Sequence, residues 1–510
     1  MKFRENRKWW ALVALALSVL IVGIDLTVLN VALPTMAPAL HASTTDLQWF
    51  VDAYSLVLAA AVLPAGLLGD RFGRKRLLMI GLAVFGVASA ICAYATSSAA
   101  LISARAVLGL AAALVLPLAM SVIPVMFTEQ ERPKAVAAVV SATMLGYPLG
   151  PVLGGWLLTR YWWGSVFLIN VPVVVVTLAA VLLLMPESRN PRVPRLDPLG
   201  VVLSSAGLVG VTYGVIEAGA HGWSDAGTLA SLAAGLVLLA AFVPYERRYA
   251  ARGAEPLVDL ALFRSASFSW GTALATLVSF AMFGLMFAMP LYFQDVQGAN
   301  ALGTGLRMLP LVGGLLVGGA LAARLQERVG LAARPVVAIG FAVIAAGLAI
   351  GAATSADSAG ATSGTGFAAA WFAVVGFGLG FALPASMNAA LDRLSGERSG
   401  AGTSAIMALR QVGATIGVAV LGTVLGSAYR SHLHGAPAAA QQSVSAGVQV
   451  AHRLGSAPLL ADVHSSFVQA MDAMLLVCTG IAAAAAVMAW LFLPAHRAPQ
   501  TVRDGVVGTI

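Results

Sequence analysis

The sequence predicts an all-α polytopic membrane protein of fourteen spans, and three observations predict it. Of 510 residues, 59% are hydrophobic and only 10% charged, whereas an ordinary soluble domain carries roughly 25% charged residues. A larger water-soluble core cannot hide that deficit, because single cores stop growing near ~300 residues; the bilayer is the remaining solvent. Apolar runs of the length that spans ~30 Å of hydrocarbon as a helix, about 20 residues, recur fourteen times. The basic residues fall almost entirely into alternate loops.

The runs lie at 10–34, 47–69, 77–96, 100–123, 135–158, 166–185, 198–216, 228–244, 268–293, 303–323, 335–354, 366–391, 401–428 and 468–494. The start, MKFRENRKWW followed by ALVALALSVLIVGI, imitates a secretory signal. A signal has a shorter apolar region and a small-residue cleavage site; here the run continues through Asp25 to Pro34, so it is read as an uncleaved first helix. The eighth run, 228–244, is the shortest for a span. The segment 430–466 is polar and alanine-rich, and reads equally as a short amphipathic helix or hairpin at the outer surface or as a plain loop. Trp9, Trp10, Trp49, Tyr161, Trp162, Trp163 and Trp223 stand at span ends, where aromatic rings anchor a helix to the interface.

Charge tests the count. With fourteen spans and a cytoplasmic N-terminus, 24 of the 30 Lys and Arg residues fall inside; the outer loops and their margins hold only Arg160, Arg307, Arg430 and Arg453, and Arg105 and Arg410 lie within spans. Positive residues are retained on the cytoplasmic side, and removing one span would invert every later loop. The net charge of +8 therefore reflects topology, and no nucleic-acid partner is expected. Both termini are expected in the cytoplasm, with the chain in a bacterial inner (plasma) membrane.

An internal repeat divides the spans. LGDRFGRKRLLMIGLAV at 68–84 returns as LQERVGLAARPVVAIGFAV at 325–343, each an acid-Arg-x-Gly turn followed by Ile-Gly-x-Ala-Val. The loops follow spans 2 and 10. Two six-helix halves with two inserted helices between them fit that offset, giving an N-terminal bundle at 1–190, an inserted pair at 191–264, and a C-terminal bundle at 265–510 that carries the outer segment 430–466. Parallel repeats of this kind underlie one large transporter architecture.

Several chemistries are excluded. Cys92 and Cys478 both sit in apolar runs, so neither a disulfide framework nor a metal site is indicated. The chain has no phosphate loop, no H-E-x-x-H and no nucleophile elbow. ATP-driven transport within this chain and enzymatic activity are therefore not expected, and no cofactor is implied.

Ionisable residues deep in spans are costly and functional by default. Asp25 lies in the middle of span 1 and Arg105 in the first third of span 4. Arg410, beside Gln411, lies within span 13, and Asp52 near the outer end of span 2. Burial moves a carboxyl's pKa towards neutrality, which would let Asp25 load and release a proton; a static ion pair with Arg105 or a solvated cavity acid is the alternative. Arg105 tunes or relays that proton, or else bonds backbone carbonyls. Asp52 is a second candidate acid or a solvated helix end. Arg410 and Gln411 form a polar patch facing a cavity or bond between helices. Asn30, Tyr54, Tyr147 and Phe283 are further cavity candidates. In span 5, GYPLGPVLGG places Gly146, Gly150 and Gly154 on one helix face, followed by Gly155, where small residues let backbones approach closely; Pro151 removes a donor and permits a bend. The loop GLLGDRFGRKR, from Gly66 to Arg76, combines Asp70 and Arg71 with a Gly73 turn and the basic Arg74, Lys75 and Arg76, an arrangement suggesting a conformational latch.

Together these motifs resemble the major facilitator superfamily, in its fourteen-helix drug:proton antiporter branch. IDLTVLNVALP (Ile24 to Pro34) is similar to that branch's first-helix signature, GLLGDRFGRK to its loop 2–3 motif, and Arg105 with Gly109 in RAVLGLAAA to its span-4 motif. GYPLGPVLGG is similar to the antiporter motif of span 5, and WGSVFLINVP, YFQDVQGANALGTGLRMLP and ALRQVG add matches over nearly the whole chain. The resemblance implies a major-facilitator fold that exports drugs or antibiotics in exchange for protons by alternating access, as a monomer, with Asp25 the main coupling carboxylate, Arg105 its partner and Asp52 a second acid. A dedicated exporter of an endogenous metabolite, lipid or siderophore would use the same scaffold. There are two departures: Leu108 stands where the span-4 motif has Gln, and Arg410 and Gln411 stand where some cation exporters carry late-helix acids, which leaves a strictly cationic substrate range without support.

Overall fold

A computed structural model describes residues 2–128, 130–188, 197–253, 256–354, 363–392 and 396–494. Among them the chain is helical, in the order α1 (Lys2–Ala39), α2 (Thr44–Phe72), α3 (Arg74–Ala93), α4 (Ser98–Ser121), α5 (Ile123–Met126), α6 (Arg132–Arg160), α7 (Ser165–Leu168), α8 (Asn170–Leu184), α9 (Pro198–His221), α10 (Ala226–Ala251), α11 (Ala266–Leu291), α12 (Ala301–Val329), α13 (Ala333–Gly351), α14 (Ser363–Leu391), α15 (Gly396–His432), α16 (Ala438–Gln441), α17 (Val444–Leu454) and α18 (Ala457–Phe492). A 3₁₀ turn at Leu262–Arg264 precedes α11 and a π-helical turn at Tyr292–Val296 extends it.

Twelve helices among the described residues are long and apolar enough to cross a bilayer, and a bent pair in α6 raises the number to 13. The 29-residue α2 occupies the remaining position, so the arrangement fits the predicted fourteen. The short eighth run becomes a 26-residue helix, α10, because its ends recruit polar residues that hydropathy discounts. The bend in α6, 44° between Tyr147 and Leu149, falls at Pro148 and one turn before Pro151. The missing N–H of Pro151 leaves the Tyr147 carbonyl four residues back without its helical donor, and Thr27 Oγ1 of α1 donates to that carbonyl at 3.2 Å.

Local sequence signals set the ends. Ser43 caps α2 in a capping box with Asp46, and Ser97, Asp225 and Asn300 cap α4, α10 and α12, each accepting from an otherwise unpartnered backbone N–H. The repeat is visible in the termini: α2 ends at Gly73 with φ 108° and α12 at Gly330 with φ 67°, conformations that only glycine adopts readily. Beyond each turn, Gly81 lets α3 close on α4, and Gly340 lets α13 close on α14.

Packing sorts the helices. α1 packs on α6 and α8, α2 on α4, and α3 on α4 and α8; α11 packs on α14 and α15, α14 on α12 and α13, and α18 on α13 and α15. These two groups meet through α2 with α15, α6 with α12, and α1 with α11. α9 pairs with α10 and lies in turn against α15 and α2. The hydrogen bonds between the two groups cluster at one end: Gln294 Nε2 to the Val31 carbonyl at 2.8 Å, Thr44 Oγ1 to the Gln442 carbonyl at 2.9 Å, and Gln48 Nε2 to the Ala419 carbonyl at 3.1 Å. This is the end at which α1 finishes and α2 begins.

The segment 430–466 is helical in large part. α15 runs on to His432, α17 spans Val444–Leu454, and α18 starts at Ala457 rather than near 468. α17 buries Val444, Ser445, Gly447 and Ala451 on one face, the helical spacing of an amphipathic element, and Ser445 Oγ donates to Asp295 Oδ2 at 2.5 Å. Of the span-end aromatics, Trp9, Trp10, Tyr161, Trp162 and Trp223 are exposed. Trp49 is instead packed between α9 and α15, its ring 6.0 Å from that of Tyr213. It is a contact between helices rather than an interfacial anchor.

Candidate functional site

Inside the first helix group a buried polar network links four helices, and Asp25 stands at its centre. Asp25 and Asn170 are 0% exposed and Arg105 is 1% exposed. Arg105 Nη1 donates to Asp25 Oδ2 at 2.6 Å, and Asn170 Nδ2 donates to Asp25 Oδ1 at 3.1 Å. Arg105 Nε donates to the Phe50 carbonyl at 2.9 Å, and its guanidinium carbon lies 4.4 Å from the Tyr54 ring centroid, within cation–π range. Asn170 Nδ2 also donates to Ser89 Oγ at 3.1 Å. Four helices are thus tied at one point: α1 through Asp25, α3 through Ser89, α4 through Arg105 and α8 through Asn170, with the α2 backbone joined at Phe50. Both carboxylate oxygens are engaged, so of the two alternatives to a proton-releasing acid the solvated cavity acid gives way to the ion pair with Arg105, and Arg105 makes both the acid contact and the carbonyl contact that were posed as alternatives.

The remaining predicted residues fall elsewhere. Asp52 is fully buried, which removes the solvated-helix-end reading, and among the described residues neither of its carboxylate oxygens has a partner. Three residues after Trp49 and four before Leu56, it shares their helix face, and they pack towards Leu208 of α9 and Val412 of α15. Tyr54 lies on the opposite face, with Arg105 against its ring, and its hydroxyl has no partner among the described residues. Asn30 is 1% exposed; its Nδ2 reaches its own helix's Leu26 carbonyl at 3.4 Å, and its Oδ1 has no partner among the described residues. Tyr147 is half-buried, edge-on to Phe283 of α11 with ring centroids 6.5 Å apart. Arg410 Nε donates to Ser279 Oγ at 3.2 Å.

The α1–α6 seam depends on missing side chains. A Cβ on Gly146 would lie 2.8 Å from Gly23 Cα. One on Gly150 would overlap Thr27 Oγ1 and lie 2.9 Å from the Ile24 carbonyl oxygen. One on Gly154 would lie 2.8 Å from Val28 Cγ2. Gly155 serves a different contact: its Cβ would lie 2.5 Å from the Ala301 carbonyl oxygen and 2.7 Å from Leu302 Cα, both on α12 in the other group. The glycine run therefore holds one helix inside its own group and across the group boundary at once.

The basic loop is clasped by residues that sequence reasoning did not single out. Lys75 N–H donates to Glu187 Oε1 at 3.2 Å, Lys75 Nζ to the Leu182 carbonyl at 2.7 Å, and Arg74 N–H to the Ser188 carbonyl at 3.0 Å. Arg74 Nη1 donates to the Ser121 carbonyl at 2.9 Å, a cation at the C-terminal end of α4 where the helix dipole favours it. Gly73 makes room for Glu187, since a Cβ there would lie 2.8 Å from Oε1. Gly66 meets only Pro117, at 3.8 Å. Arg71 is exposed, with its guanidinium carbon 5.5 Å from the Phe72 ring centroid, and the Asp70 side chain lies outside the described residues. Asn170 and Ser89 went unnoticed because each is a single polar residue in an apolar run, and that isolation is their only sequence signal; Thr27 was overshadowed by Asp25 two residues earlier, and Glu187 by the polar stretch ESRN that it opens.

Helix pairing in two groups around a shared seam, with an acid–arginine pair locked inside one of them, defines a multi-pass membrane transporter. The chain belongs to the Major Facilitator Superfamily, whose model matches residues 15–418. It is 33% identical over 518 residues to the tetracenomycin C resistance and export protein of Streptomyces glaucescens, covering 97% of this chain and 94% of that protein. It is 35% identical over 434 residues to the multidrug efflux pump LfrA of Mycolicibacterium smegmatis, covering 84% and 83%. The fold is similar to that of a bacterial homologue of the human lysosomal transporter Spinster, in an inward-facing, unoccupied crystal structure, with a TM-score of 0.67 at 18% identity over 96% of this chain and 98% of that one. The protein is a carrier of small molecules across a membrane rather than an enzyme.

Proposed function

We propose that this carrier exports small amphiphilic organic compounds, drugs or antibiotics among them, from the cytoplasm in exchange for protons. It does so by alternating access of the two helix groups, as a monomer in a bacterial inner (plasma) membrane with both termini in the cytoplasm. The resistance and efflux roles of its relatives support the direction and the substrate class. The observation that carries the coupling is the Asp25–Arg105 pair. A proton arriving at Asp25 competes with Arg105 for the same oxygen and, on winning, unties α1 from α4. Because α1 also carries the seam with α6 and the contact with α11, loosening that tie is felt at the boundary between the groups. The contacts at the outer end, from Gln294, Thr44 and Gln48, are those that an opening to the outside would have to break, so in this reading the conformation described is closed to the outside.

The test is efflux in everted vesicles driven by an imposed pH gradient. Asp25→Asn keeps the size and the hydrogen-bonding oxygen but cannot take up a proton. Gradient-driven export should be lost at normal expression, and full activity in this variant would remove Asp25 from the mechanism. A susceptibility panel with and without expression identifies the compounds carried.

A further inference from the structure

Arg410 is the other arginine buried within a span, and its surroundings contrast with those of Arg105. It is 9% exposed, and among the described residues no carboxylate lies within ion-pair distance of it. Its partners are neutral: Ser279 Oγ of α11 at 3.2 Å from Nε, and the sulfurs of Met387 and Met407, each 3.8 Å from Nη1. The guanidinium's five N–H donors thus have one hydroxyl and two thioethers to receive them, and in the next residue along α15 the buried Nε2 of Gln411 has no acceptor among the described residues. A buried charge left without a counter-charge is costly, as is a buried donor without an acceptor.

The location suggests what supplies them. Tyr147 of α6 is within electrostatic reach of Arg410, and its ring meets Phe283, one turn along α11 from Ser279. Arg410 thus faces the boundary between the two helix groups. Tyr147, Met387 and Gln411 are only half-buried, so the guanidinium borders accessible space rather than a sealed core. The buried acids among the described residues lie elsewhere: Asp25 is held by Arg105 and Asn170, Asp52 is on the α2 face that packs towards α9, and Asp197 and Glu246 belong to the α9–α10 pair, where Tyr245 donates to Asp197.

We propose that Arg410, with Gln411 and Ser279, is the subsite for an anionic oxygen of the exported compound, a carboxylate or phenolate carried on an aromatic framework. The charged oxygen accepts from the guanidinium and the Gln411 amide, and charge-assisted bonds of this kind are roughly twice as strong as neutral ones. The framework lies against Tyr147, Phe283 and the polarisable sulfurs of Met387 and Met407, which favour ring contact. This reading rests on the proposed export of amphiphilic organic compounds and narrows it to those bearing a negative oxygen.

The test is binding to the purified full-length protein in detergent, using two matched pairs: anthraquinone-2-carboxylate with its methyl ester, and 2-hydroxyanthraquinone at alkaline pH with its methyl ether. Wild type should bind each anion at least ~10-fold tighter than its neutral partner, a difference of about 1.4 kcal/mol. Arg410→Met should bring the ratio to about one, while Arg410→Lys, which keeps the charge but loses the fork, should retain part of it. Because each ratio is internal to one protein, a poorly folding Arg410→Met leaves the wild-type and lysine ratios to decide. Absence of anion preference in wild type, or its survival in Arg410→Met, overturns the proposal. A preserved anion preference in a protein that exports nothing from vesicles would leave this subsite standing and remove the export reading instead.

Discussion

Gly150 offers the sharpest mechanical test, because what a single methyl would meet there can be worked out atom by atom. In Gly150→Ala the new Cβ overlaps Thr27 Oγ1 and sits 2.9 Å from the Ile24 carbonyl oxygen and 3.0 Å from the Val28 nitrogen. Thr27 can swing aside only by giving up its donation to the Tyr147 carbonyl, which Pro151 already deprives of its helical donor; that loss costs about 1 kcal/mol. The other two atoms are backbone, so α1 and α6 must move apart by a few tenths of an ångström along the seam. Forcing a packed interface open in this way costs roughly 1–3 kcal/mol. The sum, about 2–4 kcal/mol, should appear as a clear fall in the melting temperature of the detergent-solubilised protein and as slower efflux in vesicles. Gly480→Ala is the control: nothing lies within 4 Å of its Cβ position, and the change should stay within ~0.5 kcal/mol. A Gly150→Ala protein that melts and transports like wild type would show that the close approach of α1 and α6 is incidental.

Two further predictions follow from contacts outside that seam. Gly155→Ala places a methyl 2.5 Å from the Ala301 carbonyl oxygen and so penalises the contact between α6 and α12. Spin labels at Tyr161 and Leu306 should report a longer mean separation than in the parent, and an unchanged distance distribution would mean that the contact does not govern which state is populated. Lys8 Nζ lies 2.6 Å from Glu131 Oε1, and that hydrogen bond, aided by the Thr128 backbone N–H, holds the Glu131 carboxyl below its ordinary range. A depressed carboxylate stabilises the fold above the unfolded pKa, near ~4.3, and that contribution is lost as the pH falls through the lower folded value. Melting temperature followed from pH 7 down to 3 should therefore decline less in Glu131→Gln than in the parent. Superimposable profiles would show that the pair contributes nothing.

What could be read in the sequence was whatever repeats or stands alone against a uniform background. The spans were legible because hydrocarbon demands the same length from every helix. Asp25 and Arg105 stood out because a charge inside an apolar run has few reasons to exist, and the structure pairs them. The Gly146, Gly150 and Gly154 face was legible because it obeys helical spacing. Position 155 looked like part of the same seam, yet it turns to α12, because adjacent residues on a helix point 100° apart and no alignment of helices is written in a single chain. Asn170 and Ser89 were missed for a related reason: the atom each touches lies 145 and 81 residues away along the chain, and only the packing of α3, α4 and α8 around α1 brings them together. The outer segment 430–466 was ambiguous because alanine and polar residues fit a loop and a helix alike; the Ser445–Asp295 hydrogen bond and the burial of one α17 face favour the helix. Burial alone suggested an Asp25 ready to release its proton, but the sequence could not reveal that two donors would already occupy its oxygens.

The placement of α9 has a mechanical corollary. It is fastened to α15 by a hydrogen bond from Thr423 Oγ1 to the Val215 carbonyl at 2.9 Å, and Gly219 lies against Thr423. Against α2 it presents Leu208 to Leu56 and Ala59 and Tyr213 to Trp49, apolar surfaces joined by no hydrogen bond among the described residues. Any relative displacement of the two helix groups must shear one of these contacts, and the shear falls on the greased side. Under the proposed alternating access the inserted pair would travel as an outrigger of the second group, with Leu208 sliding over α2 as a bearing and the largely uncovered α10 dragging through the surrounding lipid, so that bilayer viscosity would brake the carrier's stroke.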